Sequence, residues 1–160
     1  SLKMSYYPIS HPMDIITSET GLFSLPLDQR AEALFGSGIE SLLKDYNGQT
    51  IWLSVNVSSF LKDSKWPKWL SLAIGYSGEN MYGGFSNQWE VNDENIIVDP
   101  ILFPRHRQFV LSLDYNLSAF KSRSPFINTL LDFLNLLKFP APALEYNQFD
   151  GLKFRLLFLN

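Results

Sequence analysis

A mainly β, antiparallel fold with one or two amphipathic helices is what this sequence predicts, on three observations. The first is alternation. Ile51, Leu53, Val55 and Val57 alternate with Trp52, Ser54, Asn56 and Ser58, and Leu70, Leu72, Ile74 and Tyr76 alternate with Trp69, Ser71, Ala73, Gly75 and Ser77. A period of two means strands with two unlike faces. The second is the polarity of the non-apolar face, which carries small uncharged residues where a soluble antiparallel sheet turns Lys, Glu and Thr to water. The third is composition: 18% of residues are charged and 15% aromatic, against about 25% charged in an ordinary soluble domain. An apolar outside with a small, polar inside is the pattern of a membrane strand. The expected architecture is an antiparallel outer-membrane β-barrel, or part of one, as a single membrane β domain over residues 1–160.

Length and charge narrow the classes further. The 160 residues are enough for one domain with a real core and too few to expect two domains. A net charge of -3 with no basic stripe argues against nucleic acid as a partner. With no cysteine there is no disulfide frame, thiol nucleophile or thiolate metal site. The longest apolar run, Phe126 to Phe139, is interrupted by Asn128, Thr129, Asp132, Asn135 and Lys138 and is too short for a transmembrane helix. The start at Ser1, with neither an initiator Met nor a signal peptide, is read as a processed or truncated product lacking an N-terminal region.

Taken in order, residues 2–7 form a short strand stopped by Pro8 and Pro12, and residues 13–18 are ambiguous. Ser24 as cap and Pro26 in the first turn open a helix through Leu27, Ala31, Leu34 and Phe35, broken by Gly36 and Gly38. IESLLKDY is a second helical piece, or else Ser41 to Tyr46 is a strand entering an Asn47-Gly48 hairpin. After the first strong strand, Lys62, Lys65, Trp66, Lys68 and Trp69 surround Pro67 and form an interfacial anchor, rings at headgroup depth and ammonium groups reaching water or phosphate. Residues 78–104 form the longest irregular region, a partner-binding loop with Tyr82, Phe85 and Trp89 as aromatic anchors.

A third strong strand of about ten residues, within 107–120, turns Phe109, Leu111, Leu113, Tyr115 and Leu117 one way and Gln108, Val110, Ser112, Asp114 and Asn116 the other. Asp114 then faces a lumen, where Arg155, Lys153, Arg105 or Arg107 can pair with it. Ser124 and Pro125 open a helix that Pro140 and Pro142 close, apolar over a broad arc and therefore packed on protein or lying at a membrane interface. The chain ends in GLKFRLLFLN, a final strand similar to the terminal strand of outer-membrane barrels.

No catalytic set is predicted. His11 and His106 lack metal-ligand spacing, and His106 and Ser112, on one strand face, stand about 20 Å apart by strand rise, which precludes a direct proton relay. The acidic residues Glu79, Glu90, Asp93, Glu94 and Asp99 lack a calcium-loop spacing. No metal and no cofactor is expected.

The blocks FGSGIESLLKDYNGQTIWLSVNV, WPKWLSLAIGYSGENMYGG, RHRQFVLSLDYNL, LNLLKFPAPALEYN and GLKFRLLFL together resemble the C-terminal half of a Gram-negative envelope family of unknown function, predicted to be periplasmic lipoproteins. The resemblance runs from about Phe35 onward and implies an envelope location, not an activity. Residues 1–34 depart from the helical, glycine-rich region of that family, no Cys is present to acylate, and His106 stands where relatives often carry an aromatic. The expected role is a non-catalytic structural or assembly component of the bacterial outer membrane, in contact with membrane lipid and other outer-membrane proteins. A lipid-modifying enzyme and a soluble lipid-binding β-barrel are the alternatives. With four convincing strands and two or three weak ones, the chain is expected not to close a barrel alone.

Overall fold

The computed structural model describes residues 1–7, 10–60 and 65–158; Lys62 lies outside them. In chain order the strands are β1 (Leu2–Tyr6), β2 (Ile15–Thr17), β3 (Ser24–Pro26), β4 (Gln49–Val55), β5 (Leu70–Glu79), β6 (Gln88–Val91), β7 (Glu94–Ile97), β8 (His106–Tyr115), β9 (Ala141–Asn147) and β10 (Gly151–Phe158). The helices are α1 (Leu27–Phe35), α2 (Ile39–Lys44) and α3 (Pro125–Leu134), so the fold is mainly β. Contacts divide the chain into two compact units, each discontinuous: Ser1–Tyr6, Thr50–Ser77 and Gln108–Asn160 form the first, Tyr7–Gln49 and Gly78–Arg107 the second.

The first unit is built on a six-stranded sheet in the order β1-β4-β5-β8-β9-β10. β4 and β5 pair antiparallel with Trp52 opposite Gly75 and Ser54 opposite Ala73. β8 and β9 pair with Val110 opposite Glu145, and β9 and β10 with Glu145 opposite Lys153. Ser1 and Ser54 exchange both backbone bonds, as in an antiparallel hydrogen-bonded pair. β5 and β8 are matched at both ends, by the Asn116 N–H on the Trp69 carbonyl and by Ser77 Oγ on Gln108.

β9 is the strand that the sequence hides. Residues 138–142 read as a proline-closed helix end, yet Ala141 starts a strand with neighbours on both sides. Proline inside a paired strand removes a ladder donor and is confined to edges or bulges. Here Leu156 and Leu157 together oppose Pro142, between the pairs Arg155–Ala143 and Phe158–Ala141. A bulge is one of the places where a paired strand tolerates proline. α3 ends at Leu134, well before Pro140. Residues 136–138 instead bridge to Met4 on the outer side of β1.

The sheet is strongly curled. β4 and β10 lie four strand spacings apart, about 19 Å if the sheet were flat, yet the Trp52 and Phe158 ring centroids are 5.6 Å apart. Trp52, Ala73, Val110, Ala143 and Phe158, one from each of five strands, form the apolar centre of the concave face. Gly75 makes room for Trp52: a Cβ there would lie 2.7 Å from the indole carbons Cε3 and Cζ3.

The second unit has an ordinary apolar core of Ile16, Leu27, Ala31, Phe35, Tyr82, Ile96 and Val98. The expected irregular region 78–104 supplies three of these and contains the β6–β7 hairpin. Its turn residues Asn92 and Asp93 have φ of 51° and 63°, the double left-handed conformation of a tight hairpin, which Asn and Asp tolerate. Ser24 does not cap α1: it lies in β3, whose Pro26 pairs with Ile15 and precedes the helix with no side-chain cap. Gly36 at φ 72° and Gly38 at φ 60° separate α1 from α2. Asn47 and Gly48 form a 3-10 turn rather than a hairpin, because the Asp45 side chain accepts from the Asn47 N–H.

Candidate functional site

The inward face of the six-stranded sheet is polar and closed to water. Thr50, Ser54, Ser71, Ser77, Gln108, Ser112, Asp114, Glu145 and Asn147 are all buried there. A charge cluster joins strands that are not neighbours: Lys3 of β1 lies 2.9 Å from Asp114 of β8, both fully covered, and Ser54 of β4 donates to the same carboxylate oxygen. Lys3 also donates to the Tyr115 carbonyl and to Asn135 Oδ1. Lys138 donates to Ser112 Oγ at 3.1 Å and to the Phe139 carbonyl, its ammonium 4.8 Å from the Trp52 ring centroid. Buried charges persist only when paired and hydrogen-bonded, and the curl brings their partners together.

The outward face has the opposite character. Leu53 and Ile74, paired across β4 and β5, are 56% and 58% exposed, while Ser54 beside them is 4% exposed. Pairing orders these side chains in rows. Ile51, Tyr76, Phe109, Tyr146 and Leu152 form one, with Tyr76 and Phe109 ring centroids 5.3 Å apart. Leu53, Ile74, Leu111, Leu144 and Phe154 form the next. Val55 and Leu72 belong to a third, beyond which Trp69 stacks on Tyr115 at 6.3 Å. Rows that are aliphatic apart from Phe154 thus lie between a row rich in aromatics and the Trp69–Tyr115 pair.

The residues singled out from sequence fare unequally. Lys65, Lys68 and Trp69 are exposed, and Trp66 is half-buried, its indole N–H on the Leu70 carbonyl. Asp114 does face inward, but the proposed pair with Arg155 does not form: Lys3 takes Asp114, and Arg155 Nε lies 2.9 Å from Glu145 on neighbouring β9. Arg155 sits on the far strand beside the bulge, whereas β1 carries Lys3 onto the same curled face as Asp114. Of the three loop aromatics, Phe85 is fully exposed, Tyr82 is 1% exposed inside its own core, and Trp89 is half-buried under the Arg30 guanidinium. Tyr82 is therefore a core residue, not an anchor presented to a partner.

His11, set aside on spacing alone, lies at the centre of a relay in the second unit. Its Nε2 is 2.9 Å from Asp45 Oδ2, its Nδ1 is 3.5 Å from the Tyr82 hydroxyl, and its ring stacks on Phe35. Burial pushes the Asp45 carboxyl up, but hydrogen bonds from His11 and Asn47 and the His11 charge outweigh it and hold the group below its ordinary value. Tyr82 is pushed up to about 12, by burial first and then by the Asp45 charge. With Tyr82 covered, this relay is a clasp holding the 3-10 turn to the core. His106 bonds Glu79 and the Pro104 carbonyl. Ser112 donates to a backbone carbonyl of Leu113 or Pro142 while it accepts from Lys138, so its proton is not directed at a base.

Lys3, Lys138 and Asp45 were missed, because each acquires its role through a partner far along the chain. No group of three or more His, Asp or Glu placed to hold a metal occurs among the described residues, and none of their helices is long and apolar enough to cross a membrane. The chain matches no protein-family model, no curated protein and no solved structure.

Proposed function

We propose that this chain is a non-catalytic structural or assembly component of a bacterial outer membrane, its first unit forming part of a lipid-facing antiparallel β-barrel. One observation carries the reading: the sheet buries its polar face and exposes its apolar one. In water that arrangement forfeits burial worth about 25 cal/mol per Å² and leaves whole rows of apolar side chains exposed side by side, where soluble monomers rarely expose contiguous apolar patches. Against hydrocarbon both faces are satisfied, and the bounding aromatic rows correspond to interfacial girdles. β5 and β8 are each ten residues long, the length of a tilted spanning strand. The curl that joins Trp52 to Phe158 supports a barrel-like course, and the polar inward face is the wrong lining for a soluble lipid carrier. The deciding experiment is fractionation: the chain should stay with outer membranes through a carbonate wash and leave only with detergent. Release by carbonate alone would end the proposal.

A further inference from the structure

Helix α3 is amphipathic the wrong way round for a helix packed on a soluble protein. Its polar side chains hold it to the first unit: Asn128 bonds both backbone groups of Ser122, and Asn135 Oδ1 accepts from the Leu117 N–H and from Lys3. Asn128, Leu131, Leu134 and Asn135 are half-buried, and no residue of the helix is fully buried. Phe126 at 76% and Phe133 at 64% exposure point away, with Ile127 and Leu130 beside them.

The location of this face names its occupant. α3 packs on the short turn Leu117–Ala119, which directly follows Tyr115, the partner of Trp69 in the aromatic row at that end of the sheet. Lys65, Lys68, Lys121 and Arg123 are all exposed at the same end. Among described residues 65–70 and 116–136 the only acid is Asp132, although the whole chain has a net charge of -3. A broad apolar arc fringed by cations and continuous with a Trp–Tyr row fits the headgroup zone of an anionic leaflet.

We propose that α3 lies in the plane of an anionic membrane surface, Phe126, Leu130 and Phe133 inserted at acyl-headgroup depth and the four cations on lipid phosphates. This rests on the membrane reading of the first unit and adds the side of the sheet, the depth and the lipid charge. Since the chain has no cysteine, single Phe133→Cys and Leu72→Cys variants of the full chain can each carry one environment-sensitive fluorophore. They are reconstituted in phosphatidylcholine vesicles with and without phosphatidylglycerol and quenched by iodide or by lipids spin-labelled at shallow or deep positions. The expected result is shallow lipid quenching at 133, deep lipid quenching at 72, and an inserted fraction at 133 that rises with phosphatidylglycerol. Replacing one of the four cations with Gln should lower the inserted-to-exposed ratio about fivefold. Iodide quenching at 133 with deep lipid quenching at 72 overturns the helix proposal and leaves the membrane reading standing. Iodide quenching at both positions overturns both. Protection of 133 from iodide and lipid alike places it under protein, and indifference to phosphatidylglycerol removes the anionic surface; either result overturns the proposal.

Discussion

Arginine scanning along one outward column tests the inverted sheet with a sign as well as a size. Leu53 and Ile74 lie in the middle row, 56% and 58% exposed, so an Arg at either can extend away from the sheet. If that face is in water, each substitution is a surface change, worth about 0.5 kcal/mol or less either way. If it is in hydrocarbon, a guanidinium near the midplane costs about 2–4 kcal/mol, falling to roughly 0–1 near the interfaces. The pairing supplies an internal scale: Ile51 and Tyr76 lie one row toward one rim, Val55 and Leu72 one row toward the other. Leu53→Arg and Ile74→Arg should therefore cost most, Ile51→Arg and Tyr76→Arg clearly less. The assay is a urea titration of folding into phosphatidylcholine vesicles, read by tryptophan fluorescence and repeated on the full chain carrying each variant. A flat profile with all shifts under about 0.5 kcal/mol refutes the lipid-facing assignment.

Three further outcomes follow from the packing and the buried charges. Gly75→Ala drives a methyl into the Trp52 indole, which Phe158 and Ser5 already hem in, so it should cost about 1–3 kcal/mol; if Trp52→Leu restores none of the loss in the same titration, the contact is not the cause. Lys3→Met strands the Asp114 carboxylate and should cost about 3–5 kcal/mol, whereas adding Asp114→Leu should recover most of it; purely additive losses across that double-mutant cycle contradict the pairing. Asp45, held below its ordinary pKa, contributes stability that is present above about pH 4 and is lost as pH falls through its folded value. The protection of the Asn47 amide against exchange should exceed that in Asp45→Asn at neutral pH and converge with it in acid; an advantage independent of pH would contradict this.

What the sequence made legible follows from the range of the signal. Alternation is a property of neighbouring residues, and β4, β5, β8 and β10 were readable because Leu53 against Ser54, or Leu111 against Ser112, needs no knowledge of the rest of the chain. The same holds for α1, where Gly36 and Gly38 stop the helix by their own backbone conformations. β9 failed because Pro140 and Pro142 outweigh the Ala143, Leu144, Glu145, Tyr146 alternation, and only the register shift between Arg155 and Phe158 reveals a bulge opposite Pro142. Asn92-Asp93 was a usable turn signal inside a stretch otherwise read as irregular. Tyr82 looked like a presented anchor since nothing local says that Leu27, Phe35 and Ile96 will surround it. Lys3 and Asp114 are 111 residues apart in sequence, and no pattern of spacing connects them; the topology does.

The open edge of β10 decides whether such a sheet can stand alone in a bilayer. Hydrocarbon offers no partner for strand-edge N–H and C=O groups, each costing several kcal/mol, so a lipid-facing sheet must close or be continued. Six strands make up the main sheet, and single-chain bacterial barrels begin at eight. The outer side of β1 is met by residues 136–138 through one bridge at Met4. Among the described residues β10 has β9 as its one strand neighbour, and its Leu152, Phe154, Leu156 and Leu157 are exposed. On the lipid-facing reading proposed above, further strands would join along β10. The same edge in water would be a long, apolar template for aggregation. The detergent-solubilised particle should therefore hold more protein than one 18.4 kDa chain. Light scattering with analytical ultracentrifugation measures this directly. A stable particle of one chain, with the β10 amides protected from exchange, would show that these residues complete a barrel among themselves.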